Sequence, residues 1–135
     1  MPKKVLVVDD DQALLTLLGT QLKNAGFDVT TALEGEEALA KARASKPDVI
    51  LLDIMLPGKH GYAVCQAIRA DKNLAGVKVI VISAKGYPAD IKQSRNVGAD
   101  DHLVKPLESK TLLSAIDRVF QGGNGDFKKP ALPLV

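Results

Sequence analysis

Residues 5–11 read VLVVDDD, an apolar run that stops in three adjacent carboxylates, Asp9, Asp10 and Asp11. The run has the make-up of a short strand buried on both faces. Two carboxylates about 4 Å apart repel by roughly 4 kcal/mol at an effective dielectric near 20. Acids set together at a strand end therefore need a compensating charge. A helix N-terminus supplies part of it, and a divalent cation supplies more.

Downstream, DDQALLTLLGTQLKNAG carries Leu15, Leu18, Leu22 and Ala25 at helical spacing, with Gly26 as a stop. FDVTTA has the β-branched content of a strand. EGEEALAKARAS places acids at its start and bases at its end, which suits a helix dipole, and Pro47 closes it. PDVILLD is the most apolar strand, and IMLPGKHG follows it as a loop. Gly61–Ala70 predicts a helix, with Val64 and Ile68 on one face. VKVIVISA is a further apolar strand, PADIKQSRNVG a helix anchored by Ile91 and Val97, and DDHLVKP a short fifth strand. LESKTLLSAIDRVF predicts a last helix anchored by Leu112, Leu113, Ile116, Val119 and Phe120.

Alternating strands and helices, with central strands apolar on both faces, predict an α/β fold: a doubly wound parallel sheet with helices on each side. Right-handed crossovers follow. Ligands in such sheets bind beyond the carboxyl ends of the strands. Residues 1–121 are expected to form this domain. The remainder, 122–135, is rich in Gly, Pro and Lys without a period and reads as a flexible tail or linker stub.

Composition excludes several classes. A chain of 135 residues with 46 % apolar and 25 % charged content suits one globular domain. A net charge of +2 implies no polyanion partner, so no direct nucleic-acid binding is expected. The single cysteine, Cys65, rules out an internal disulfide. Acids interrupt the apolar stretch after the first lysines, so no signal peptide or membrane insertion is expected, and a cytoplasmic location fits.

The polar groups at the strand ends are Asp9 and Asp10, Asp53, Ser83 and Lys105, which precedes Pro106. A doubly wound sheet brings them to one edge. Carboxylate oxygens with water and phosphate suit Mg²⁺. One carboxylate can attack phosphorus to give an aspartyl phosphate, while a hydroxyl and an ammonium group bind the phosphoryl oxygens.

Four segments, VLVVDDD, LLDIMLPGKHG, VIVISAKG and GADDHLVKP, occur in order at strand ends, and the chain resembles the receiver domain of two-component response regulators from Lys3 to about Gln121. The resemblance implies a flavodoxin-like sheet of order 2-1-3-4-5 with five helices. It also implies residue roles. Asp53 is the phosphoacceptor for a sensor histidine kinase or histidine phosphotransfer protein. Asp10, Asp53 and the backbone carbonyl of Met55 hold Mg²⁺, with Asp9 beside them. Ser83 is the switch hydroxyl. Lys105 bonds the acyl phosphate, and its bond to Pro106 is cis. Output is expected through the fourth helix, fifth strand and last helix, to a downstream protein or a second copy. His102 stands where relatives carry an aromatic that turns inward; a half-exposed edge residue is expected there, the alternative being a polar ring that acts as a switch by moving with Ser83.

Simpler roles fit some residues. Asp11 reads as a cap for the first helix, His60 as a solvated loop residue and Cys65 as a small helix residue. A dehalogenase-like phosphatase would need a second aspartate where Met55 stands. A flavodoxin-type cofactor binder would need a polar phosphate loop where the acids stand. The remaining alternative is a receiver cut from a longer DNA-binding regulator or hybrid histidine kinase.

Overall fold

The computed structural model describes residues 3–122. Elements run β1 (Lys4–Val8), α1 (Gln12–Asn24), β2 (Asp28–Ala32), α2 (Gly35–Ser45), β3 (Val49–Asp53) and α3 (Gly61–Ala70). A 3-10 turn (Lys72–Leu74), β4 (Lys78–Ser83), α4 (Pro88–Asn96), β5 (Asp101–Val104) and α5 (Ser109–Phe120) complete the order. The five strands are all parallel, in the order β2-β1-β3-β4-β5. This is the sheet that the resemblance implied. The expected tail lies outside the described residues apart from Gly122.

Alternation along each central strand divides the core in two. Leu6, Val8, Ile50, Leu52, Val79 and Val81 face α2 and α3, meeting Leu39, Val64 and Ile68. Val5, Val7, Val49, Leu51, Ile80 and Ile82 face α1 and α5, meeting Leu15, Leu22, Leu112 and Ile116. Each fully buried Leu or Ile contributes about 2 kcal/mol by leaving water. The predicted stripe of α1 holds for its three leucines. Ala25, however, is the exposed C-cap, because the helix ends one residue before it. Gly26, at φ 97°, then takes the left-handed turn.

Local chemistry fixes the helix starts. Asp11 caps α1 by accepting from the Leu14 N–H at 3.2 Å. His60 caps α3 through Nδ1, which accepts from the Tyr62 N–H at 3.2 Å, so this exposed loop residue has a structural task. Pro88 opens α4, where Asp90 accepts from the Tyr87 N–H at 3.2 Å.

The amino-terminal edge of β4 is clamped by Arg69. Its guanidinium donates to the carbonyls of Gly98 at 2.8 Å and Val77 at 2.6 Å, and to Asp100 Oδ2 at 2.6 Å. The buried Asp100 also accepts from the Val79 N–H at 2.8 Å. One side chain thus joins α3 to the segments before β4 and β5.

Candidate functional site

Sheet register brings the acids together. Val8 pairs with Leu52, so Asp9 and Asp53 follow side by side. The ligand oxygens of Asp9, Asp10 and Asp53 all lie within 4.8 Å of one another. Asp9 and Asp53 are buried, Asp53 at only 4 % exposure, while Asp10 is exposed. Asp9 Oδ1 accepts from the Asp11 N–H at 2.9 Å, and Asp53 Oδ1 from the Met55 N–H at 3.2 Å.

Lys105 enters from the end of β5. Its Nζ donates to Asp9 Oδ2 at 2.8 Å and lies 3.5 Å from Asp53 Oδ2. The backbone helps to place it, since the Lys105 N–H donates to the Ser83 carbonyl at 2.8 Å and its bond to Pro106 is cis. Ser83 pairs in register with Val104, and its Oγ accepts from the Lys85 N–H at 3.0 Å. The loop after β3 turns back tightly: the Gly61 N–H donates to the Ile54 carbonyl at 2.9 Å. A Cβ at Gly61 would run into the backbone of Asp53 and Ile54, so glycine is needed there. Met55 leaves the loop with its side chain 60 % exposed.

Burial raises the Asp53 carboxyl above the ordinary aspartate value, and the charge of Asp9 adds to this. Lys105 and the Met55 N–H pull it back only in part. For Lys105, burial pulls downward, but the hydrogen bond to Asp9 and the charges of Asp53 and Asp9 outweigh it, so its value rises. The cluster thus holds more negative charge than one ammonium offsets. Three hard oxygen donors around a partly neutralised pocket are the donor set that Mg²⁺ takes.

The predicted Asp9, Asp10, Asp53 and Lys105 therefore meet in one cluster, with the Met55 N–H on Asp53 and Ser83 at the end of β4 beside it. His102 departs from expectation. It is buried, and both ring nitrogens have partners: Nδ1 lies 2.7 Å from Ser94 Oγ and Nε2 2.9 Å from the Lys85 carbonyl. An imidazole on the β5 edge is drawn in because α4 offers it a hydroxyl. Ser94 carried no sequence signal beyond indifferent helix propensity.

A family model described as the response regulator receiver domain matches residues 5–117. The chain belongs to that family. This receiver domain is 39 % identical over 121 residues to the alkaline phosphatase synthesis transcriptional regulatory protein PhoP of Bacillus subtilis, a match covering 90 % of this chain and 50 % of that protein. It is likewise 39 % identical over 116 residues to the DNA-binding response regulator MtrA of Mycobacterium tuberculosis, covering 86 % and 50 %. The chain thus spans about half the length of the curated relatives it matches. Among solved structures it is similar to the chemotaxis protein CheY4 of Vibrio cholerae, with a TM-score of 0.85 and 34 % identity over 88 % of this chain and 99 % of that one. Receiver domains are signalling modules that use Mg²⁺ at an acidic site and interact with histidine kinases. No helix among the described residues is long and apolar enough to cross a membrane.

Proposed function

We propose that Asp53 is the phosphoacceptor of this receiver domain. The observation that carries the reading is the meeting of Asp9, Asp10 and Asp53 within 4.8 Å, with Lys105 Nζ against Asp9 and near Asp53. An Asp53 carboxylate oxygen attacks the phosphorus of a phosphohistidine on a kinase or phosphotransfer protein. The new O–P bond forms as the N–P bond breaks, and the imidazole keeps the electron pair. Lys105 binds an oxygen of the acyl phosphate, and the Ser83 hydroxyl turns to donate to another. Asp9, Asp10, Asp53 and the Met55 carbonyl are the groups that hold Mg²⁺, which when bound offsets charge on the phosphoryl oxygens.

Acetyl phosphate with Mg²⁺ tests this. One phosphoryl group should add to the wild type by intact mass, and none to Asp53→Asn. Equal labelling of the variant overturns the assignment.

The signal leaves through α4, β5 and α5 to a second copy or a partner protein. Tyr87 and Val104, exposed on this side of the domain, supply apolar surface for it. The half-length match to PhoP and MtrA favours a second reading, in which the chain is the receiver part of a longer DNA-binding regulator. The full reading frame decides between that and a stand-alone receiver. A cytoplasmic location suits both.

A further inference from the structure

Within α4 the one buried residue is a hydroxyl. Ser94 has 0 % exposure, whereas Ile91 is only half-buried. The Ser94 partner is His102 Nδ1 at 2.7 Å, and His102 Nε2 meets the Lys85 carbonyl at 2.9 Å. A carbonyl only accepts, so Nε2 carries the proton. In the neutral ring Nδ1 then accepts, and Ser94 donates to it. Lys85 is held at its other end too, since its N–H donates to Ser83 Oγ at 3.0 Å. A continuous path runs from Ser83 through the Lys85 backbone and the His102 ring to Ser94. Tyr62 of α3 stands at the far end, donating to the Asp90 carbonyl at 3.2 Å with its oxygen 3.5 Å from Ser94 Oγ.

We propose that Ser94 is a positioning residue, the point at which His102 grips α4 and passes movement of the Ser83–Lys85 backbone to that helix. The proposal rests on the reading of Asp53 as phosphoacceptor and Ser83 as its hydroxyl partner. It assigns the coupling to a directed hydrogen bond rather than to the turning of an aromatic ring.

A hydroxyl has one donor and two acceptor positions. Ser83 can therefore donate to a phosphoryl oxygen while its Oγ keeps the Lys85 N–H. Displacement of Oγ moves Lys85, and the Lys85 carbonyl moves with it. His102 Nε2–H either follows or parts from that carbonyl, and both outcomes alter the contact with Ser94. At full burial Ser94 has no water to turn to, so losing the ring leaves it only the longer 3.5 Å contact with the Tyr62 hydroxyl. With no fully buried apolar side chain in α4 to resist, the helix follows the contact that Ser94 keeps.

Amide and imidazole NMR of the full chain, with Mg²⁺ and beryllofluoride as phosphoryl mimic, tests the proposal. In the wild type, amides at Asp53 and Ser83 and amides along α4 should all shift, and the imidazole proton should sit on Nε2. In Ser94→Ala the site amides should shift as before, while the α4 shifts fall by about fivefold or more, the loss of a modest coupling free energy. If Ser94→Ala does not fold, His102→Phe fills the same space without the ring nitrogens and should show the same split. Wild-type-sized α4 shifts in these variants, or a proton on Nδ1, overturn the proposal while leaving Asp53 intact. A wild type silent at Asp53 and Ser83 overturns the phosphoacceptor reading, and the coupling falls with it.

Discussion

Lys105 Nζ donates to Asp9 Oδ2 at 2.8 Å, although the two residues are 96 positions apart in the chain. The pair closes the site across three neighbouring strands, β1, β3 and β4, because Lys105 reaches over from the far edge of the sheet. It also sets the charge that an incoming phosphoryl group meets. The raised value of Lys105 keeps the ammonium fully charged at neutral pH. Stability from this pairing is therefore complete below the ordinary lysine range and is lost only as pH rises through the raised value.

Asp10 and Asp11 are neighbours with different tasks. Asp10 belongs to the acid cluster, whereas Asp11 caps α1. Asp10→Ala should remove most Mg²⁺ affinity in a calorimetric titration and block labelling by acetyl phosphate. Asp11→Ala should keep both and lose about 1 kcal/mol in a urea melt, the usual value of an N-cap. The opposite pattern would exchange the two roles.

Asp53 is held in the fold at some cost to its charged form. Its raised value means that the folded state binds the proton more tightly than the unfolded chain does. Stability then falls as pH rises through the window between the ordinary aspartate value and the raised one, and stays lower above it. Asp53→Asn should accordingly melt higher than wild type at pH 7, by about 4 °C for each kcal/mol relieved. The gain should shrink on acidification. A variant that melts lower at pH 7 would contradict this account of the site.

Hydrolysis of an aspartyl phosphate requires a water in line with the O–P bond. Met55 is apolar and exposed beside Asp53, and Lys85 is exposed beyond Ser83. Neither a thioether nor a charged ammonium takes a proton from that water. Slow self-dephosphorylation is expected. Met55→Asn, which offers a polar group to orient water, should shorten the lifetime about tenfold, the effect of roughly 1.4 kcal/mol. An unchanged decay of the phosphorylated mass would count against this role for Met55.

The Arg69 clamp predicts a large effect far from the chemistry. Asp100→Ala leaves the Arg69 guanidinium without its carboxylate and the buried Val79 N–H without its acceptor. A loss of about 3 kcal/mol is expected in denaturant unfolding. Lys59→Ala removes only the exposed 3.7 Å contact with Glu36 and should cost under about 0.5 kcal/mol. Near-equal losses would show that the clamp adds little.

Strands β1, β3 and β4 and the acid cluster were legible because these apolar runs are buried on both faces and lead into a polar group, a pattern that one-dimensional reading detects. The bounds of α3 were equally plain, since Gly61 and the Val64/Ile68 spacing mark them. Other features left no such trace. The 3-10 turn at Lys72–Leu74 is too short to show a period. Nothing in the sequence marks the Arg69 clamp, because two of its partners are backbone carbonyls. His102 was expected half-exposed, and its burial depends on Ser94, a residue eight positions away whose inward face only tertiary packing decides.

Because β1 lies inside the sheet, between β2 and β3, the first 53 residues already carry every carboxylate of the site. Lys105 follows only after β5, the last strand to be synthesised. Biosynthesis therefore delivers the repelling charges first and their built-in counter-ion last. During translation the docking of β3 on β1 works against this repulsion until the sheet is complete. Lowering ionic strength should slow refolding of the wild type in a stopped-flow experiment, and Asp53→Asn should be less affected; equal sensitivity of the two would remove the acid cluster as the brake.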